Sequence, residues 1–261
     1  MSDRDQLDKR ALENEAWQAL RKVTQARIGL PRAGSAVATR ALLDFQRAHA
    51  LARDAVWRPW AVQDSEAELR AHGIETLHAP SLARDRATFL KRPDLGRSLD
   101  PSALPQLRAA RREPAFDVAL ILSDGLSATA VHEHGVPTLL AILDSLRAAT
   151  LSCAPIVLAE HGRVALSDDI GEALAARVAV IVLGERPGLS AADSLGLYMT
   201  FGPKRGNTDA QRNCISNVRA PNGLDPQLAA ARLTALLRRS LALGQSGVAL
   251  KDDAAQLPPT P

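Results

Sequence analysis

Apolar positions recur at helical spacing through the first part of the chain and gather into short strand-like runs after Pro114. Residues 11–23 carry Leu12, Ala16, Leu20 and Val23 on one helical face, and residues 39–57 carry Leu42, Phe45, His49 and Ala50 on another. Residues 81–90 and 102–111 predict two further short helices. Apolar runs bounded by turn residues then predict buried strands at 116–122, 155–159, 178–183 and 195–201. Helices alternate with them at 127–149 (interrupted near Gly135 and Pro137), at 168–176 and at 226–243, the last with Asp225 as N-cap and Pro226 at its first position.

This alternation predicts an α/β fold, a largely parallel sheet with helices on both faces, preceded by a smaller helical region. The division drawn from it has three parts. Residues 1–112 form a helical region ending in a basic, Pro-containing connector from Lys91 to Arg112, residues 113–250 form the α/β domain, and residues 251–261 form a tail too poor in apolar residues to fold. The connector reads as a solvated surface or as one that faces a partner.

In open parallel sheets a ligand lies beyond the carboxyl ends of the strands. Three loops leave such ends here: Ser123-Asp124-Gly125, Glu160-His161-Gly162 and Gly184 to Gly188, each with a glycine and a carboxylate. Glu185, directly after a strand, has two readings, a solvated carboxylate paired with Arg186 or an acceptor for ligand amide N–H groups. Cys214 reads as a buried thiol of the core or as part of a site, and Val164 as packing or as a backbone contact to a ligand over the sheet edge. Ser127 fits a helix N-cap. His132-Glu133-His134 reads as a polar helix end, because imidazoles two residues apart on a helix point to different faces.

Composition removes several function classes. The net charge is +3 from 32 basic and 29 acidic residues, and aromatics are 3%, too little charge and too few stacking platforms for a nucleic-acid surface. The two cysteines leave room for one disulfide and no framework of them. The N-terminus lacks the pattern of a secretory signal and no run reaches the length of a membrane helix, so a soluble, cytoplasmic protein is expected. Phosphate-loop and nucleophile-elbow motifs are missing, as are a nucleophile–base pair at motif spacing and a metal cluster. No catalytic or metal-binding residue is therefore assigned, and the chain reads as one that holds a ligand while another supplies the reactive groups.

Five runs carry a resemblance: LLDFQRAHALARDAVW (42–57), DRATFLKRPDLGRSLD (85–100), DVALILSDGLSATAV (117–131), GERPGLSAADSLGLYMTFGPKR (184–205) and NCISNVR (213–219). In this order they resemble the small (light) subunit of ethanolamine ammonia-lyase. The resemblance implies a Rossmann-like domain that holds adenosylcobalamin against a large subunit, in a hetero-oligomer that converts ethanolamine to acetaldehyde and ammonia by radical deamination. It implies that ethanolamine is bound mainly by the large subunit, and it leaves a bacterial microcompartment open as the setting. It places the cofactor contacts on Val164 after an HGR turn, on Glu185 of GERPG and on Cys214 of CISN. The chain lacks the DxHxxG run that supplies a histidine to cobalt in other cobalamin proteins, which agrees with a cofactor that keeps its own base. A non-catalytic cobalamin-binding or interaction protein on the same scaffold is the alternative.

Overall fold

A computed structural model describes residues 15–30 and 32–250. The expected helix at 11–23 lies partly outside the described residues, which are helical at 15–21, and the expected tail lies wholly outside them. The chain divides into two compact units, Met1–Arg53 with Gly188–Ala191, and Asp54–Pro187 with Ala192–Pro261.

In the first unit, strands β1 (Arg32–Ala33) and β2 (Ala36–Val37) form a small antiparallel hairpin, followed by most of helix α1 (Thr39–Trp57). The second unit is built on a six-stranded sheet. In chain order its strands are β3 (Thr76–His78), β4 (Val118–Ser123), β5 (Ile156–Leu158), β6 (Val178–Gly184), β7 (Leu195–Phe201) and β8 (Arg212–Val218). The spatial order is β3-β5-β4-β6-β7-β8. The first four run parallel, while β7 and β8 are added antiparallel at one edge. The sheet is thus α/β and mostly parallel as expected, and its antiparallel pair is an addition to that expectation.

The central strands β4, β5 and β6 form because their residues suit burial on two faces. Every residue of β4 and β6 is buried, as an apolar run flanked by helices on both sides requires. On one face Leu120, Leu122, Val180 and Val182 pack with α2 (Val62–Ala71), α5 (Val136–Ala148) and α7 (Pro226–Leu243). On the other, Ile121, Val157 and Ile181 pack with Leu107 of α4 (Leu104–Ala109) and with Leu166 and Ile170 of α6 (Leu166–Leu174). Burial of each such side chain stabilises the fold by about 1.5–3 kcal/mol.

Several boundaries differ from the sequence reading, for local reasons. The helix expected at 81–90 is α3 (Arg86–Lys91) because Asp85 caps it, accepting from the Thr88 N–H at 2.8 Å. Ser81 instead turns its hydroxyl to the His161 carbonyl at 2.8 Å and bridges Leu99 in extended form. The helix expected at 168–176 starts two residues earlier and stops where Ala175 turns left-handed, at φ 55°. The long helix at 127–149 is interrupted as expected, by a π-helical stretch over Val131–Gly135. Ser127 and Asp225 are N-caps, as read. Helix α2 and strands β3 and β8 were not foreseen.

Candidate functional site at the uncovered end of the sheet

The three glycine-bearing loops are locked together at the carboxyl ends of β4, β5 and β6. The Asp124 carboxylate accepts from the His161 N–H at 2.6 Å, and the Ser123 hydroxyl accepts from the Gly162 N–H at 3.0 Å. The Gly184 carbonyl accepts from the Leu126 N–H at 2.8 Å. A side chain at Gly184 would stand 2.1 Å from the Ser127 carbonyl oxygen, so only glycine fits there. Arg86 donates to Asp124 at 2.8 Å and to the Gly125 carbonyl at 2.7 Å. Burial pushes the Asp124 carboxyl up, and the positive charge of Arg86 opposes this. Asp124 therefore binds its own chain and supports the loops.

Helices α4 and α6 cover the second face of the sheet over β4, β5 and β6. Beyond them, Cys214 and Ser216 of β8 are exposed and Tyr198 of β7 is half-buried. Side chains alternate along a strand, so Leu195, Leu197 and Met199 turn into the core while Gly196, Tyr198 and Thr200 turn to this other face. Tyr198 pairs in register with Cys214 on the neighbouring strand. Burial raises the Tyr198 hydroxyl, and the neighbouring Cys214 and Glu185 raise it further. Burial also raises the Cys214 thiol, against the pull of the Tyr198 hydroxyl.

Val164 lies in the turn before α6, and its carbonyl accepts from the Ser167 hydroxyl at 2.8 Å. Val164 and Cys214 line one cavity of about 420 Å³ with Tyr198, Arg163, Arg97 and Arg212. Glu185 stands beside it. A Cβ added at Gly196 would meet Tyr198 at 2.7 Å and Glu185 Oε1 at 2.9 Å, so the missing side chain makes room for both.

Glu185 is not paired with Arg186. Its carboxylate accepts from the Ser194 hydroxyl at 3.0 Å, the Ser216 hydroxyl at 2.5 Å and the Asn217 N–H at 3.1 Å. The last of these comes from a β-bulge. Leu197 pairs with Ile215 but Leu195 pairs with Val218, so β8 holds one extra residue there. Asn217 takes it up with φ at 59°, a conformation asparagine tolerates well, and the bend turns its N–H toward Glu185.

Cys214 is exposed and both cysteines are free, so the buried-thiol reading does not hold for it. His132 and His134 turn to different partners. His132 Nε2 lies 3.2 Å from the Pro59 carbonyl, and His134 Nε2 lies 3.4 Å from Asp193. The sequence reading singled out Val164, Glu185 and Cys214, and missed Tyr198, Arg163, Gly196 and Ser216. The period-two alternation of 195–201 was the available signal for Gly196 and Tyr198.

Comparison with known proteins shows the family of the chain. Residues 14–251 match the family model of the ethanolamine ammonia-lyase light chain. The chain belongs to this family. It is 52% identical over 244 residues to the ethanolamine ammonia-lyase small subunit of Ralstonia nicotianae, covering 93% of this chain and 90% of that one. To the small subunit of Azotobacter vinelandii it is 52% identical over 259 residues, 97% of this chain and 93% of the relative. To that of Pseudomonas syringae pv. tomato it is 46% identical over 258 residues, 97% and 90% of the two. Among the described residues no helix is long and apolar enough to cross a membrane.

Proposed function

We propose that this chain is the corrinoid-holding subunit of an adenosylcobalamin-dependent ethanolamine ammonia-lyase, working with a large subunit that binds ethanolamine. The observation that carries the reading is the meeting of Val164, Glu185 and Cys214, from three separate elements, around one uncovered stretch of sheet. When bound, the cofactor supplies the radical chemistry that converts ethanolamine to acetaldehyde and ammonia.

The residues present suit such a ligand. A corrin carries amide side arms around a broad, flat ring. An ionised carboxylate offers about four acceptor positions. Glu185 spends three of them on Ser194, Ser216 and Asn217, which leaves one for an amide N–H. Those three donors also fix the carboxylate before any ligand arrives, so little entropy is lost on binding. Tyr198 and Val164 give apolar surface for a ring, and the exposure of Cys214 keeps the cavity open on one side. A ligand larger than the cavity can then lie across the face with its far side against the partner. The chain's own part is to bind and orient the cofactor and to shield its inner side from water.

The test is to co-express the chain with its large subunit, purify the complex and assay acetaldehyde formation with adenosylcobalamin. Ethanolamine-dependent acetaldehyde is the expected result. An assembled complex that takes up corrinoid but forms none overturns the enzymatic role, and one that takes up no corrinoid overturns the cofactor role.

A further inference from the structure

We propose that Arg97 and Arg163 form an anion subsite in the cavity and that it takes the phosphodiester of the corrinoid's nucleotide arm, an inference that rests on the cofactor reading above.

Three nearby arginines at this end of the sheet are neutralised. Arg86 pairs with Asp124, Arg205 with Asp169 and Arg212 with Asp168. Among the described residues, Arg97, Arg163 and Arg186 form no ion pair. Arg163 is the centre of the group. Its backbone N–H is tied to the Gly96 carbonyl at 2.7 Å, and its guanidinium lies 4.5 Å from the centroid of the buried Phe89 ring. Its Nε is buried and has no hydrogen-bond partner. Buried donors are nearly always paired, and an unpaired one costs about 1–3 kcal/mol. Burial lowers the Arg163 pKa, and Arg86, Arg186 and Arg97 lower it further, with no acidic group opposing them.

A cluster of like charges around a half-buried, unpaired guanidinium is costly without a counter-charge. Arg163 and Arg97 both line the cavity that holds Val164 and Cys214, so the counter-charge belongs on the ligand side. The guanidinium fork matches two oxygens of a phosphate. Cobalamin carries one such group, in the arm that links its ring to its base. The ring itself bears neutral amides, which Glu185 suits better than arginine does.

The experiment uses the complex with the large subunit and three probes: cyanocobalamin, cobinamide phosphate and cobinamide, which lacks the phosphate. Binding is read by equilibrium dialysis and the corrin absorption band. Arg163→Gln is the main variant, and Arg97→Gln, at an exposed position, guards against a folding defect. Each is expected to weaken cyanocobalamin and cobinamide phosphate about tenfold, and to leave cobinamide within about twofold. An equal loss for all three probes, no loss for any, or failure to assemble with the large subunit overturns the proposal. That last outcome would mean that the arginines face carboxylates of the partner. A parent complex that binds no corrinoid defeats the cofactor reading, whereas one that binds all three and is indifferent to the arginines defeats only the phosphate assignment.

Discussion

Arg212 on the edge strand β8 grips Asp168 of α6 through two hydrogen bonds of 2.9 and 2.7 Å, and each side chain is only 3% exposed. Arg212 also donates to the Thr200 hydroxyl at 2.8 Å and to the Asn207 carbonyl at 3.1 Å. Asp168 follows Val164 by four residues and Arg212 precedes Cys214 by two, so the pair fastens one side of the cavity to the other. Asp168→Asn removes the buried counter-charge of Arg212 and leaves it only the exposed Asp209, at 3.3 Å. The expected cost is about 3–5 kcal/mol, and the double change Asp168→Leu with Arg212→Met is expected to cost less. Urea unfolding of the three proteins measures this. Equal stability of parent and Asp168→Asn would show that the pair does not hold the edge strand.

Gly196 separates fold from site. In Gly196→Ala the new methyl meets the ring of Tyr198 and the carboxylate of Glu185, both side-chain ends and neither backbone. The melting temperature is expected to fall by only a few degrees, because the strand keeps its hydrogen bonds. Corrinoid affinity of the assembled complex is expected to fall about tenfold. A Gly196→Ala complex with parental affinity would remove Glu185 and Tyr198 from the binding surface.

Asp117 gives a pH signature. Burial acts to raise its carboxyl, but hydrogen bonds from the Ser152 N–H and hydroxyl, and then Arg177, outweigh this and hold it below the ordinary aspartate value. A depressed carboxyl stabilises the fold above its unfolded pKa and ceases to do so as pH falls through its folded one. Asp117→Asn is therefore expected to be less stable than the parent near neutrality, with the gap closing below about pH 4. Melting curves between pH 7 and 3 check this. A gap that stays constant with pH would mean that the carboxylate charge is irrelevant.

The two thiols differ in reach. Burial pushes the Cys153 thiol up to about 12, whereas Cys214 is exposed, with its thiol raised by partial burial. The thiolate is the reactive form, so iodoacetamide near pH 8 is expected to label Cys214 first and Cys153 only after unfolding. Labelling of Cys214 should rise with pH beyond the usual cysteine range and fall when the assembled complex is given cobalamin. Peptide mass spectrometry reads both sites. Preferential labelling of Cys153 in the native protein would contradict the geometry.

The α/β class was legible because β4 and β6 are buried on both faces, and unbroken runs such as VALIL and VAVIVL have few other uses. The edge strands were not. β8 shows one face to solvent and reads RNCISNV, without an apolar run, and β3 has only three residues. The site was legible in part. Glu185 and Cys214 stood out as polar or reactive residues near strand ends, and the resemblance supplied Val164. The donors around Glu185 could not be read, since Ser216 and the bulge at Asn217 depend on strand register. The isolation of Arg163 was equally hidden, because it depends on which arginines find acids after folding.

The bulged edge strand sets an order of events during synthesis. The Glu185 carboxylate emerges 31 residues ahead of the hydroxyl of Ser216 that fixes it. The parallel core from β3 to β6 is complete in sequence before either β7 or β8 has been made. Helix α7, which covers one face of that core, follows β8 in the chain, so neither the packing of that face nor the grip on Glu185 is complete until these last elements have emerged. The Glu185 carboxylate is thus fixed only when β8 docks, and loss of that strand would take away the Ser216 hydroxyl and the Asn217 N–H that hold it.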